Sequence, residues 1–417
     1  MSDTLAHPAP FRATRWARFA AVAGPGVVVM LADTDAGSII TAAQSGAQWG
    51  YRLLLLQAVL IPILFVVQEL TVRLGIVTGQ GHGRGIREHF GSAWAWVSVG
   101  TLLLACVGAL VTELSGIAGV GALVGLPGWT SMAIVVAGLV LMAWTGSYAT
   151  VERIALAVGL FELVFLVVAW RAHPDLGVMA SDALDIPFKD TSYMYLAAAN
   201  VGAVIMPWMV FYQQSAVVEK GLTLADLRAA RIDTLVGAVV TQVIMAAVLV
   251  VTAATIGQSH RGQALDTVQR IAQAITPFLG VHAGTLMFAL GMIGASLVAT
   301  IVVTLTAART LGELLGFRHS LEHAPKEAPW FYAVYTLALV VGGGVVASGV
   351  DLVKLSVGVQ VMNALLLPIV LGFLFMLARR ALPAPHRLTG RYAWVVGVTI
   401  VVTAGFGLYA GLSGIFG

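Results

Sequence analysis

Long apolar segments separated by short polar ones make up the chain from about residue 19 to its end. A helix that crosses the hydrocarbon core of a bilayer needs about 20 mostly apolar residues. By this criterion eleven transmembrane helices are predicted, at 19–47, 52–75, 94–124, 129–146, 152–170, 192–217, 233–257, 283–308, 329–348, 353–378 and 392–414. Residues 263–276, between the seventh and eighth of these, predict a short amphipathic helix in a loop.

Composition supports an all-α integral membrane protein. Hydrophobic residues make up 59% of the 417-residue chain and charged residues only 10%, and the mean hydropathy is +0.91. A soluble domain carries roughly 25% charged residues, which cover its core with a polar surface. Because this chain has too few charges for such a surface, we expect the lipid bilayer to surround most of it.

Charge in the loops predicts the orientation. Of the 23 Lys and Arg residues, 17 fall on the same side as the N-terminus when the eleven spans alternate in direction. Basic residues concentrate on the cytoplasmic side, so we expect a cytoplasmic N-terminus and an external C-terminus in the plasma membrane. Residues 1–18 are polar and basic, and they predict a cytoplasmic tail rather than a cleaved signal peptide.

Several classes of protein are excluded. The single cysteine, Cys106, allows no internal disulfide framework and no Cys-rich metal site. The formal net charge of +3 comes from scattered basic residues, which indicates no nucleic-acid partner. No nucleophile and base constellation and no HExxH helix is present, so we expect neither an enzyme nor a resident cofactor. The polar stretches 171–191 and 309–328 are too short to fold as separate domains.

Two of the predicted helices carry interruptions. Asp33 and Asp35 lie in the middle of the first, where a carboxylate costs about 2.5–3.5 kcal/mol on insertion scales, and Gly37 follows at once. Pro207 lies inside the sixth, where it removes a backbone donor. These are the first helices of two five-helix segments, 19–170 and 192–378, with 392–414 as an additional helix. Broken helices at corresponding positions of two halves indicate a transporter site near the bilayer midplane.

Several motifs resemble one known family. They are Gly-Pro-Gly at 24–26, Asp-Ala-Gly-Ser at 35–38, Ala-Gln-Trp-Gly-Tyr at 47–51, Glu-Leu-Thr-Val-Arg-Leu-Gly-Ile-Val-Thr-Gly at 69–79 and Met-Pro-Trp at 206–208. Together they resemble the Nramp divalent-metal transporters, whose tetrad in the first helix is Asp-Pro-Gly-Asn and whose sixth helix carries Met-Pro-His. The resemblance implies a LeuT-like fold of two inverted five-helix repeats and one extra helix.

The resemblance also implies a set of metal ligands. Six residues fall on the positions of the family's site: the side chains of Asp35, Ser38 and Met206, the backbone carbonyls of Ala32 and Ala203, and the Gln360 side chain in the tenth helix. For Gln360, a hydrogen bond between two helices is an equal alternative.

Other positions depart from the family. Ser38 replaces the asparagine of the tetrad, and Trp208 replaces a histidine that the family uses in proton movement. Glu113 stands at an acidic position of the family, whereas Gly116 replaces its second acidic residue. The resemblance therefore implies a metal site that is mostly kept and a proton route that is altered. We assign Asp33, Glu113 and Trp208 to the proton and ion pathway.

The donor chemistry indicates the substrate. A thioether such as that of Met206 binds Mg²⁺ and Ca²⁺ poorly, because these ions prefer oxygen ligands. We therefore predict a secondary transporter that moves Mn²⁺ or Fe²⁺ into the cytoplasm by alternating access, with weak or altered proton coupling, and we expect a monomer. If Met206 does not contact the ion, the alternative is a Mg²⁺-selective transporter related to this family. An amino-acid carrier on the same fold is disfavoured by the two buried aspartates, and a receptor or scaffold by the absence of soluble domains.

Three smaller features complete the predictions. Glu69 and Arg73 are one helical turn apart and are expected to pair. The glycine-rich run 79–85 predicts a flexible cytoplasmic loop, with His82 and His89 in solvent. Thr304 and Thr306 are expected to donate to backbone carbonyls of their own helix.

Overall fold

The computed structural model describes residues 25–145, 160–257, 262–275, 280–321, 323–349 and 351–416, together with residue 157. All regular elements within these ranges are helices, which confirms the all-α prediction. The first half of the chain contains α1 Pro25–Asp33, α2 Ala36–Trp49, α3 Leu54–Thr78, α4 His82–Phe90, α5 Ser92–Leu123, α6 Gly128–Thr145, a 3₁₀ turn Leu160–Leu163, α7 Val164–Arg171 and α8 Leu176–Leu184. The second half contains α9 Thr191–Val204, α10 Pro207–Glu219, α11 Leu227–Thr252 with a π turn Ala253–Gly257, α12 Val268–Ile275, α13 Val281–Leu315, α14 Pro329–Ala347, α15 Leu352–Arg380 and α16 Gly390–Phe416.

Many of these helices are long enough to cross a membrane. Within the described ranges nine helical segments have the required length and hydropathy, namely α3, α5, α6, α9 with α10, α11, α13, α14, α15 and α16. A tenth is present if the 3₁₀ turn and α7 form one span with α8, across a bend of 108°. The chain is thus a multi-pass membrane protein. The count of eleven stays a prediction, because parts of the predicted first and fifth spans, and the predicted tail 1–18, lie outside the described residues.

The first predicted span is broken where the sequence places its aspartates. Helix α1 ends at Asp33 and α2 begins at Ala36. Asp35 caps α2 in an extended conformation, with φ −66° and ψ 171°, and its side chain accepts a hydrogen bond from the Ser38 amide. Aspartate is a preferred N-cap because its oxygen satisfies an amide that has no partner within the helix. The sequence therefore starts a new helix here.

The sixth predicted span is broken by its proline. Helix α9 ends at Val204, and α10 begins at Pro207. Met206 has φ −84° and ψ 140°, because the residue before a proline is forced out of the helical region. The proline itself suits the first position of α10, where its missing amide proton would have no helical partner.

Helix α11 packs against both halves of the first broken span. The Gly26 amide, at the start of α1, donates to Asp233 Oδ2 over 2.8 Å. At the other end, a Cβ on Gly46 of α2 would overlap the Leu249 carbonyl and the Thr252 hydroxyl. Glycine at position 46 therefore allows the backbones of α2 and α11 to meet. Helix α11 holds the two half-helices on either side of the break.

The periphery is apolar and exposed. Helix α16 packs on α9 and α15 through one face, and Trp394, Val401 and Val402 on the rest of its surface are exposed. Such side chains are solvated by lipid in a membrane protein. The broken helices lie in the buried centre of the molecule.

Two of the smaller predictions are confirmed. Arg73 Nη2 lies 2.6 Å from Glu69 Oε2, and Arg231 Nε from α11 lies 2.7 Å from the other oxygen of the same carboxylate. The hydroxyls of Thr304 and Thr306 donate to carbonyls one turn back.

The predicted flexible loop at 79–85 is wrong. Residues from His82 onward form α4, and His82 is buried against Phe211 with its Nδ1 2.8 Å from Gln214 Oε1. Removal from water lowers the pKa of His82 to about 4, so the ring is neutral at physiological pH. The loop was predicted from the high glycine content of this segment. In the structure the glycines allow close packing instead, since Gly83 lies directly against Thr310 of α13. His89 is exposed, as predicted.

Candidate metal site

Asp35 is the centre of the break in the first span. Its Oδ1 accepts from the Ser38 amide over 2.6 Å, and no donor among the described residues reaches its Oδ2, although the side chain is fully buried. A buried carboxylate oxygen without a donor carries a desolvation cost that a cation would remove. One oxygen of Asp35 thus stabilises α2, and the other is available for a ligand.

Glu113 of α5 is the second carboxylate at the break. Its Oε2 accepts from the Ala36 amide over 3.1 Å, and the Thr112 hydroxyl donates to its Oε1 over 3.1 Å. The Glu113 carboxyl group also interacts electrostatically with the Asp35 carboxyl group. Both acids therefore bind the amino-terminal amides of α2, where the helix dipole favours negative charge.

Ser38 and Ala203 connect the two broken spans. The Ser38 hydroxyl donates to the Ala203 carbonyl oxygen over 3.1 Å. Ser38 lies in the first turn of α2, and Ala203 lies in the last turn of α9, just before the second break. The structure thus brings together two of the residues that the resemblance assigned to the site.

Met206 and Trp208 contact each other directly. The indole Nε1 of Trp208 donates to Met206 Sδ over 3.2 Å, and the Met206 amide points at Met209 Sδ over 3.4 Å. All three side chains are buried. The residue at the family's histidine position therefore holds the thioether in place, and a second sulfur lone pair remains for another partner.

Gln360 of α15 lies between the two broken spans. A Cβ on Gly37 would overlap its Nε2 and would lie 3.4 Å from Asp35 Oδ1, while its backbone carbonyl packs on Gly202 of α9. Its Oε1 accepts from Asn363 of the same helix over 2.9 Å, and its Nε2 has no acceptor among the described residues. Gln360 thus lies beside Asp35, and its hydrogen bond with Asn363 is within one helix and not between two helices.

Ala32 and Asp33 occupy the last two positions of α1, and both are buried. Neither oxygen of Asp33 is reached by a donor in the described part of the chain. Asp33 interacts electrostatically with Asp35 and with a third acid, Glu162.

Sequence reasoning missed Glu162. It lies in the 3₁₀ turn before α7, fully buried, and its Oε2 accepts a hydrogen bond from the Thr34 hydroxyl in the first break. Its Oε1 has no donor among the described residues. The available signal was an acidic residue in the middle of an apolar run, which in a membrane segment indicates function.

The candidate site residues are buried inside the protein. Asp35, Ser38, Ala203, Met206 and Gln360 are each at most 1% exposed. No group of three or more His, Cys, Asp or Glu side chains in the described ranges has the arrangement of a metal cluster. The candidate donors are instead mixed: carboxylate, hydroxyl, carbonyl and thioether.

Contacts outside the site connect its helices to neighbouring segments. On the α2 side, the Gln44 side chain pairs with the backbone of Leu265, whose amide donates to Gln44 Oε1 over 3.0 Å and whose carbonyl accepts from Gln44 Nε2. On the α1 side, the contacts of Gly26 with Asp233 and of Glu69 with Arg231 fix α1 and α3 to α11.

Comparison with known proteins agrees with this architecture. The family model described as "Natural resistance-associated macrophage protein-like" matches residues 26–413. The chain is 26% identical over 361 residues to the divalent metal cation transporter MntH of Verminephrobacter eiseniae, covering 83% of this chain and 78% of the relative. It is 26% identical over 418 residues to MntH of Burkholderia ambifaria, covering 93% and 87%.

Solved structures share the fold. The manganese transporter of Eremococcus coleocola superposes with a TM-score of 0.78 at 20% identity, over 98% of this chain and 90% of that one. Mhp1, a nucleobase-cation-symport-1 family transporter, has a TM-score of 0.61 at 16% identity, over 94% and 90%. These likenesses confirm the LeuT-like fold. The match over most of its length shows that this chain belongs to the Nramp family of membrane transporters, as its motifs indicated, and that it is a transporter and not an enzyme.

Proposed function

We propose that this protein imports divalent transition-metal cations, Mn²⁺ or Fe²⁺, across the plasma membrane into the cytoplasm. The observation that carries the proposal is the buried Asp35 carboxylate with one free oxygen, beside the Ser38 to Ala203 contact that joins the two broken spans. The names of its MntH relatives support the same class of substrate.

The donors fit a transition metal that has lost most of its water. Asp35 supplies charge, Ser38 and the carbonyls of Ala32 and Ala203 supply neutral oxygens, and Met206 supplies a soft sulfur. Sulfur biases the site toward transition metals over Mg²⁺. The Trp208 hydrogen bond supports this role, because it fixes the rotamer of an otherwise flexible side chain.

An amino-acid substrate is less compatible with this site. A carrier of this fold binds a substrate carboxylate at the amino-terminal amides of a half-helix. In α2 the amides of Ala36 and Ser38 already bind Glu113 and Asp35. A third carboxylate there would be repelled by two others.

Transport would proceed by alternating access, with segments 19–170 and 192–378 acting as inverted repeats and residues 392–414 as the extra helix. In this scheme the buried site would correspond to an occluded state between outward-open and inward-open forms. In the proposed orientation, with the N-terminus inside, the Gln44 to Leu265 contact closes the external side and the Gly26 to Asp233 contact the cytoplasmic side.

Proton coupling would be weak or altered. Trp208 offers no titratable group at the family's histidine position. At Gly116 a Cβ would lie 2.5 Å from the Ala36 Cβ and 2.9 Å from Ser296 Oγ, which leaves no space for an acidic side chain. Glu113 and Asp35 remain as the groups that could exchange a proton for the metal.

The test is Mn²⁺ uptake into proteoliposomes, with Mg²⁺ and amino acids as competitors and a pH dye inside. The wild type should take up Mn²⁺ against excess Mg²⁺ with little acidification. Met206→Ala should lose the preference for Mn²⁺, whereas Met194→Ala, at a buried methionine near the start of α9, should keep it. Strong acidification would refute the coupling proposal, and equal Mg²⁺ uptake by the wild type would favour the Mg²⁺-selective alternative.

A further inference from the structure

We propose that Asp33, Thr34 and Glu162 form a second, all-oxygen cation site on the α1 side of the first break, which receives the divalent cation after it leaves Asp35. This inference rests on the proposed function, since it assigns the next position of the same cargo. It adds a residue of the fifth predicted span, Glu162, to the pathway.

Thr34 joins the two acids across the break. Its hydroxyl lies 2.8 Å from the Leu31 carbonyl oxygen and also within hydrogen-bonding range of Glu162 Oε2. A hydroxyl has one proton and can donate to only one acceptor at a time. The Thr34 proton is therefore shared between the Leu31 carbonyl oxygen and Glu162 Oε2. The other oxygen of Glu162, Oε1, has no donor in the described part of the chain.

Asp33 precedes Thr34 in the chain, and its buried side chain interacts electrostatically with Glu162. It is 1% exposed, and neither Oδ1 nor Oδ2 is reached by a donor among the described residues. The charged groups that act on it are the carboxyl groups of Asp35 and Glu162, which have the same sign. Burying one unpaired carboxylate is costly, and placing several together adds repulsion. A bound cation removes both costs.

The donors indicate the kind of cation. Two carboxylates and a hydroxyl are hard oxygen ligands, with no sulfur among them, so the site suits Mn²⁺, Mg²⁺ or Ca²⁺ without discriminating strongly. Selection would occur at Asp35, where Met206 lies. The ion would bind at this less selective site, closer to the cytoplasm, after it has dissociated from the Met206 thioether.

Equilibrium binding of Mn²⁺ to the full-length protein in detergent tests the proposal. The wild type should bind two Mn²⁺ per chain, and Glu162→Gln and Asp33→Asn should each bind one. Glu88→Gln, at an exposed glutamate of α4, should still bind two. In proteoliposomes Glu162→Gln should lower the maximal uptake rate ~10-fold, the lower end of the range for disturbed metal sites, with little change in the concentration for half-maximal uptake.

The outcomes separate this inference from the proposed function. One Mn²⁺ per chain in both the wild type and Glu162→Gln, lost in Asp35→Asn, would overturn the second site and leave transport at Asp35 intact. The same binding pattern with altered proton release by Glu162→Gln would assign Glu162 to protons and also overturn it. No Mn²⁺ binding by the wild type would refute both proposals. If Glu162→Gln does not give a monodisperse protein, Asp33→Asn decides.

Discussion

Replacing Gln44 with leucine should open the external side of the occluded state. The Gln44 side chain accepts from the Leu265 amide and donates to the Leu265 carbonyl, and both residues are at most 4% exposed. Leucine has a similar volume and cannot form either hydrogen bond. In an outward-open state water would satisfy the Leu265 backbone, so the substitution disfavours only the closed state.

The size of the effect follows from the two hydrogen bonds. Each contributes a net ~1 kcal/mol, and more where a buried backbone group is left without a partner. Losing both should destabilise closure by about 2 kcal/mol, which corresponds to a roughly 30-fold shift toward the outward-open state. Transport should slow, because the occluded state lies between the two open states.

Thiol labelling measures this shift. The one native cysteine, Cys106, is buried, so a cysteine introduced as Ser38→Cys can report access to the site from outside. A charged, impermeant reagent should label Ser38→Cys about 30-fold faster when Gln44→Leu is added. Gln48→Leu is the control, because Gln48 donates to Gln44, whereas the hydrogen bonds with the Leu265 backbone are made by Gln44. Equal labelling rates with and without Gln44→Leu would refute the assignment of this contact to closure.

Three further predictions concern other parts of the pathway. Trp208→Phe removes the donor that holds Met206 Sδ, so Mn²⁺ affinity should fall by up to tenfold, about one hydrogen bond, in a binding titration, whereas unchanged affinity would exclude a positioning role. Arg231→Gln removes an ion pair to the buried Glu69 carboxylate, so the cytoplasmic side should open more readily. Faster labelling of Ser38→Cys from the inside would show this opening. An unchanged labelling rate would contradict a role of this ion pair in closing the cytoplasmic side. The pKa of His82 is about 4 in the folded protein, below its unfolded value of 6.5, so the stability gained by burying the neutral ring is fully present above pH 6.5 and is lost as the pH falls toward 4. The melting temperature in detergent should therefore fall over this range for the wild type and less for His82→Phe. Parallel curves for the two proteins would contradict this prediction.

The two helix breaks could be predicted because their causes are local. Asp35 followed by Gly37 marks a new N-cap, and Pro207 ends the preceding helix whatever its surroundings. The span lengths follow from hydrophobic runs in the same way. The motifs added the proposed position of the metal site, because the residues that resemble the family's ligands are compact in sequence at 35–38 and 206–208.

The failures all involve contacts between distant segments. Glu162 meets Thr34 across 128 positions, and Gln44 meets Leu265 across 221. Hydrophobic periodicity carries no information about such pairs. His82 is buried because Phe211 and Gln214 of α10 cover it, and its own glycine-rich neighbourhood indicated a loop. Local chemistry defined the breaks, and only tertiary packing showed what surrounds them.

Anomalous diffraction at the manganese edge, from crystals grown with Mn²⁺, would locate the bound cation. We expect a peak in the first break, with Asp35 Oδ2 at a coordination distance of about 2.0–2.6 Å and Met206 Sδ also in contact. The peak should disappear in Asp35→Asn, which keeps the oxygen that caps α2. A protein that transports Mn²⁺ but shows no peak at Asp35, or an unchanged peak at this position in Asp35→Asn, would contradict the proposed site.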